Sequence, residues 1–332
     1  MKSLGIFFTL AFTYLVSVLA GPPPPVYIED KNYEYYAQEG FTSCYVTKLT
    51  SRANRLSKLT FEPSVTKNGV KYYVGGLMAD LSKSRASTIE IPSTLESHFS
   101  ISENVLKTAK NLKELKVESY YDVYTYENTF TGVNTDINIS GRGVDRMAIN
   151  YYTNYLKDNY PDLIQDYHNL SEYDTRINLY NIAKIIKNNF VFDTNMAHGD
   201  NGAVALFLKR GNTIGLNRVA RYLAIASGFS QNNIVVAGDD IQHGFCLVKL
   251  NKVWYVFDAV KGSFNDREPW SFFQTMDGYI KRTLNPYYGR LYQADVNTFV
   301  KYNSKYGYSN ECYPEKQNLM KWLPLNDYYT LA

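Results

Sequence analysis

The sequence predicts an α+β chain: a β-rich, repeat-like first half, then a second half of helices and a closing hairpin. Three observations carry that expectation. Between about residues 40 and 140, short apolar doublets with period two recur, each bounded by polar or turn residues. From Val144 the apolar period becomes helical, and from Ile234 to Asp258 the pattern is a strand followed by a hairpin.

Composition bounds the function classes. The chain has 332 residues, of which 45% are hydrophobic, 15% aromatic and 20% charged, with a formal net charge of +3. Disordered chains carry few aromatics, nucleic-acid binders are usually far more basic, and a collagen would need many more than the 20 glycines present. The length suits two domains of ~150 residues each. The 31 tyrosines are conspicuous, but Asn, Lys and Ile share their AT-rich codons, so tyrosine content alone predicts no partner.

Met1 and Lys2 precede an uncharged apolar run from Leu4 to Leu19, too short for a comfortable membrane span. It closes on Val18-Leu19-Ala20 before Gly21, the small-x-small pattern of signal-peptidase cleavage. Residues 1–20 read as a cleaved signal peptide and residues 21–39, opening on Pro22 to Pro25, as a Pro-rich linker. No later run of about 18 apolar residues follows, so a soluble, secreted mature protein is expected. Cys44, Cys246 and Cys312 are an odd number at unrelated spacings and match no metal motif. A Cys44–Cys312 bridge with Cys246 left as a buried thiol is one possible pairing, which sequence does not decide. Asn138 and Asn169 lie in glycosylation sequons, Asn138-Ile139-Ser140 and Asn169-Leu170-Ser171.

Over residues 40–141 four segments share one frame: Leu56-x-x-Leu59-x-Phe61, Ala86-x-x-Ile89-x-Ile91, Leu112-x-x-Leu115-x-Val117 and Asn134-x-x-Ile137-x-Ile139. Their intervals of 30, 26 and 22 residues are those of a stack in which each unit gives one short strand. The region resembles the irregular leucine-rich repeats of BspA-type cell-surface proteins, and Asn68 to Val74 looks like the strand that opens such an array. No residue here carries chemistry; a binding surface is the most it offers.

Residues 142–332 form the second unit. Val144, Ala148, Tyr151 and Tyr155 make one helical face closed by Pro161, and Ser171 with Asp174 resembles a capping box ahead of the stripe Leu179, Ile182, Ile186. A shorter helix runs from Gly202 to Lys209, and Leu216, Val219, Leu223 and Ala226 mark another, ended by Gly228. Ile234 to Ala237 is a strand, and Gly244 to Leu250 and Val253 to Phe257 form a hairpin around Asn251-Lys252. Trp270 to Met276 reads as a short helix. A two-residue loop sets Leu250 opposite Val253 and Phe245 opposite Asp258. His243 and Asp258 then share a face one diagonal step apart, ~7–8 Å between backbones, a geometry in which a carboxylate orients an imidazole. The same parity points Cys246 to the other face.

His243-Gly244-Phe245 and Trp254-Tyr255-Val256-Phe257-Asp258 resemble the histidine and aspartate motifs of the transglutaminase-like superfamily, the likeness spanning residues 175–262. It implies a papain-like core with a nucleophile helix packed on an antiparallel sheet. The departure is Asn217, in Gly215-Leu216-Asn217, where the family has its cysteine. Acyl transfer needs a thiolate, and an amide supplies none. Asn217 also suits a helix cap; Arg218 and Arg221 lie nearby on the same helix, at a cleft mouth or in solvent.

The resemblance therefore implies a pseudoenzyme retaining His243 and Asp258 and recognising an extracellular protein or glycan; cysteine spacing, charge with the export signal, and hydropathy add the expectation of no metal, nucleic acid or membrane span, and no cofactor is expected. Two alternatives stand beside it: an acyl-transfer enzyme with a displaced nucleophile, for which Cys246 is the available thiol, and a surface or wall-associated adhesion protein acting through its repeats.

Overall fold

The computed structural model describes residues 23–238, 244–251, 253–260 and 273–275. The signal-peptide expectation, His243 and Cys312 lie outside the described residues.

The first half is a two-sided stack whose repeat strands pair in parallel, with antiparallel strands added at β1(Pro25–Glu29), β2(Tyr33–Gln38) and β5(Ser64–Lys67). One sheet has the order β1, β2, β3(Ser43–Leu49), β6(Val70–Leu77), β8(Phe99–Ile101), β10(Val123–Thr125), with β5 paired to β6. The second runs β4(Lys58–Thr60), β7(Thr88–Ile91), β9(Glu114–Val117), β11(Asn138–Ser140), all parallel. Each repeat therefore contributes two strands, one to each sheet, where the sequence frame exposed only one. The second strand was hidden because it is three residues long in the later repeats and its outward positions are polar.

Register explains the frame. Leu59 aligns with Ile89, Ile89 with Leu115 and Leu115 with Ile139. The frame thus places the fourth unit two residues early: Ile139, not Ile137, continues the ladder. The position that would repeat Val117 is Gly141, at φ +109°, where an added Cβ would lie 2.2 Å from the Val117 carbonyl oxygen. There the ladder stops and the chain turns into a helix. Inward residues of both sheets meet in one core, with Phe61 beside Tyr33 (5.6 Å) and Phe99 (5.1 Å). Each such side chain, removed from water, contributes roughly 1.5–3 kcal/mol before entropy is counted.

Residues 25–38, expected in a Pro-rich linker, are instead the antiparallel hairpin β1–β2 on the edge of the first sheet. Alternation in Tyr33-Glu-Tyr-Tyr-Ala37 drives this: Tyr33, Tyr35 and Ala37 are buried while Tyr36 faces out. Cys44, on the inward face of β3, is a free and fully buried thiol.

After α1(Val105–Thr108), a single turn within the stack, the remaining helices are α2(Val144–Asn159), α3(Glu172–Asn189), α4(Gly202–Leu208) and α5(Thr213–Ala226). The capping box forms as read: Ser171 Oγ accepts from the Asp174 amide at 3.1 Å. Helix α2 straddles the junction, with Val144 and Met147 in the core of the stack and Ala148, Tyr152 and Leu156 in the second core. Asn201 fastens the same junction: its Oδ1 caps α4 while its Nδ2 donates to the Ile139 carbonyl at 2.7 Å.

The second core lies between α5 and the antiparallel sheet β14(Ile234–Gly238), β15(Gly244–Leu250), β16(Val253–Phe257), β17(Phe273–Thr275). A two-stranded pair, β12(Val191–Phe192) and β13(Arg210–Gly211), lies beside it in sequence. Residues 273–275, expected to be helical, are the edge strand β17 paired with β16. Phe273 and Thr275 suit a strand as well as a short helix, and their pairing with Phe257 and Tyr255 decides.

Candidate functional site

The site is built where the first turns of α5 meet the ends of β15 and β16. The hairpin has the expected register: Leu250 pairs with Val253 and Cys246 with Phe257, and Asn251 in the loop takes φ 48°. Gly244 permits the close approach of the helix, since a Cβ there would lie 2.5 Å from the Ile214 Cα. The Gly244 amide donates to Thr213 Oγ1 at 2.9 Å, fixing the strand end against the helix start.

Asn217 is fully buried at the centre of this contact. It does not cap the helix. Asn212 does, accepting from the Gly215 amide at 3.0 Å, and Asn217 sits one turn further in. Its Nδ2 donates to the carbonyls of Gly244 (2.6 Å) and Thr213 (3.0 Å), and its Oδ1 accepts from the Ala259 amide at 2.9 Å. One amide thus bonds its own helix, the start of β15 and the segment after β16. Asp258, also fully buried, brings its Oδ1 to 3.4 Å from Asn217 Nδ2 and accepts from the Val260 amide at 3.2 Å. Two of the three positions singled out in the sequence are therefore adjacent; the third, His243, is outside the described residues.

Cys246 is closer to this site than strand parity suggested. Its face of the hairpin is the one α5 covers, and its Sγ donates to the Asn217 carbonyl at 3.2 Å. Asp258 reaches the same helix because it follows the last paired residue of β16, where the chain is free of the strand's alternation. Burial pushes the Cys246 thiol far above its ordinary range; Arg221 works against that shift and Asp258 adds to it. A neutral, buried thiol is a poor nucleophile. Ser227, at the far end of the helix, bonds Ala224 O at 2.8 Å and meets Tyr167, away from Asn217 and Asp258.

Arg218 and Arg221 are both only 2% exposed, so they line no cleft mouth and are not solvated. Arg218 Nη1 donates to the Asp200 carbonyl at 2.9 Å. Arg221 donates to Ile234 O at 3.2 Å and lies 3.9 Å from Asp145 Oδ2, while Tyr222 donates to Asp145 Oδ1 at 2.7 Å. Asp145 on α2 is a partner the sequence did not point to, because an acid in a first helical turn is ordinarily read as solvated dipole compensation.

Lys209 went unmarked as well. It ends α4 in the left-handed region, φ 55°, and holds its Nζ 5.0 Å from the Phe190 ring and 5.5 Å from those of Tyr151 and Tyr155. Burial lowers its ammonium to about 8, with Glu127 opposing.

Of the two sequons, Asn138 is half-buried within β11 and accepts from Asn201 Nδ2 at 3.3 Å, whereas Asn169 is exposed in a turn beside Asp166. Among the described residues no group of three His, Cys, Asp or Glu side chains could hold a metal, and no helix is long and apolar enough to cross a membrane.

No known protein family matches the chain, and no curated protein is similar to it in sequence. Two solved structures resemble parts of it. One is a leucine-rich cell surface protein from Faecalibacterium prausnitzii, with 17% identity over 35% of this chain and 30% of that one and a TM-score of 0.28. The other is a leucine-rich repeat protein from Bacteroides ovatus, with 15% identity over 35% of this chain and 37% of that one and a TM-score of 0.23. The chain thus matches about a third of either neighbour's length. The leucine-rich-repeat-like character of residues 43–140 stands on its own strand register.

Proposed function

We propose that this is a secreted, non-catalytic recognition protein: a repeat stack joined to a transglutaminase-like unit whose nucleophile position is filled by Asn217. The observation that carries the reading is the bonding of Asn217. Its amide is engaged on both sides, to Gly244, Thr213 and Ala259, next to Asp258, at the place where the resemblance puts a thiolate. A side chain so employed is a structural tie between helix and sheet. Support for secretion comes from the Met1 to Ala20 pattern. The displaced-nucleophile alternative loses ground because its one nearby thiol, Cys246, is buried and kept protonated.

The test compares wild type, Asn217→Cys and Asn217→Cys/Asp258→Ala for amine incorporation into a glutamine peptide. Wild type is expected to be inactive, and acyl transfer gained by Asn217→Cys and lost again with Asp258→Ala would show a site complete but for its thiol. Robust acyl transfer by wild type would refute the reading, and activity in the double variant equal to that of the single one would remove Asp258 from the site.

Adhesion through the repeats is favoured by one specific observation. Tyr27, Tyr36 and Tyr45 are in register on the outward face of the first sheet, and Tyr124 aligns with Ser100 further along the same row. Surface attachment lost in Tyr36→Ala and Tyr124→Ala, and kept in Asn217→Cys, would establish this second role; attachment unchanged in the tyrosine variants would dismiss it.

A further inference from the structure

A cavity of about 540 Å³ opens where the last turn of the stack meets the second half, and it shares no residue with the Asn217 site. This volume is ordinary for a small-molecule site, ~300–1,000 Å³. Thr135 and Asp136 come to it from the loop before β11, Val191 from β12, Asp193 and Met196 from the loop that follows, and Arg210 from β13. Both halves of the molecule are needed to make it.

Its chemistry is mixed. Asp136 and Asp193 supply acceptors and Arg210 a cation, while the Lys209 ammonium lies over the Phe190, Tyr151 and Tyr155 rings, so the rim carries no excess of positive charge. Asp193 is held in place: its Oδ1 accepts from the Asn195 amide at 2.9 Å, and Arg210 Nη1 stands 3.7 Å from its Oδ2. A carboxylate beside a guanidinium offers two acceptors and a fork of donors a few ångströms apart, the spacing of neighbouring hydroxyls on a pyranose ring. Next to these polar groups lie apolar atoms of Val191, half exposed at 50%, and of Met196, against which the C–H face of a sugar can rest. A polyanion gains nothing net from such a rim, and a hydrocarbon would strand two carboxylates.

We propose that this cavity is a binding site for a neutral saccharide, held by hydroxyl contacts to Asp136, Asp193 and Arg210. The proposal rests on the recognition reading above but not on the transglutaminase-like assignment, since Asn217 plays no part in it.

The experiment presents the full chain to an array of neutral, sialylated and sulfated glycans and then titrates the strongest neutral binder by calorimetry. Wild type is expected to prefer neutral glycans, and Asp136→Ala and Asp193→Asn to weaken binding about ten-fold or more, the cost of a lost charge-assisted hydrogen bond. Asp136 is exposed on a loop, so its variant should keep the melting temperature of wild type, and Ala197→Trp, which fills the cavity from another exposed position, should abolish binding without unfolding. Binding confined to sialylated or sulfated glycans, absence of any neutral binder, or wild-type affinity in Asp136→Ala would overturn the proposal. Loss in Tyr36→Ala with retention in Asp193→Asn would also overturn it, moving recognition to the sheet face while leaving the recognition reading intact.

Discussion

In the stack the buried polar side chains are Ser84, Ser119, Thr125, Thr129 and Ser140, all neutral hydroxyls. The half that begins with α2 buries the hydroxyl residues Thr175 and Ser227 and, in addition, Asp145, Asn201, Asn217, Arg218, Arg221 and Asp258. Hydroxyls cost little inside a protein when bonded to nearby backbone, as Thr129 is to Ile101 O at 3.2 Å. Charged groups cost several kcal/mol each and persist where geometry or function requires them. The stack is thus a scaffold held by apolar ladders, and the second half keeps its costly groups around α5, where the candidate site is.

The largest expected effect strikes the second half. Arg221→Met leaves Asp145 without its buried cation and should cost ~3–5 kcal/mol of unfolding free energy in urea denaturation. A loss below ~1 kcal/mol would mean that the buried charges contribute no more than surface ones, and the contrast between the halves would fail. In the stack, Leu115→Ala removes the centre of the Leu59, Ile89, Leu115, Ile139 ladder and should cost ~2–5 kcal/mol. Because a repeat touches chiefly its neighbours, hydrogen exchange should quicken first in β7, β9 and β11 and least around α5.

Lys209 sharpens the comparison through pH. Its folded pKa, about 8, lies below the ordinary 10.5. Between those values the unfolded chain holds a proton that the folded chain has released, so this group's contribution to stability rises with pH across the window. Below it, the buried ammonium is a standing cost. Lys209→Met should therefore be more stable than wild type by on the order of 2 kcal/mol at pH 7, and the difference should shrink to nothing by about pH 10.5. Taking the difference between the two proteins cancels the buried tyrosines and thiols, whose raised values act in the opposite sense. A difference that stays constant with pH would show that Lys209 is not desolvated.

The smallest effect belongs to Tyr152, fully buried on α2 with its hydroxyl hydrogen-bonded to no group among the described residues. Tyr152→Phe should be neutral or stabilising by about 1 kcal/mol in thermal unfolding. Destabilisation by as much would reveal a bonded partner for that hydroxyl.

How much of this was legible in the sequence differs between the halves for the same physical reason. Periodicity reports apolar faces, so the Leu59, Ile89 and Leu115 ladder, the α3 stripe and the hairpin register could all be read directly. It does not report which strand a three-residue segment such as β8 joins, nor that Tyr33 to Ala37 pairs as a hairpin beside a proline run. At the candidate site, spacing singled out Asn217 and Asp258, which the fold brings within 3.4 Å. Parity misjudged Cys246 because Asp258 lies beyond the paired strand. Asp145, Arg221 and Lys209 gave no signal, since a buried charge looks in sequence like a solvated one.

The most direct test of the central claim, that the thiol at this site is structural and Asn217 has replaced the nucleophile, is thiol labelling of the folded wild type with iodoacetamide, mapped by mass spectrometry to Cys246. The account predicts that Cys246 stays unmodified until urea unfolds the chain. Modification of Cys246 in the native state, at a rate that falls when Asp258 is changed to Ala, would contradict it and restore an active thiol to the site.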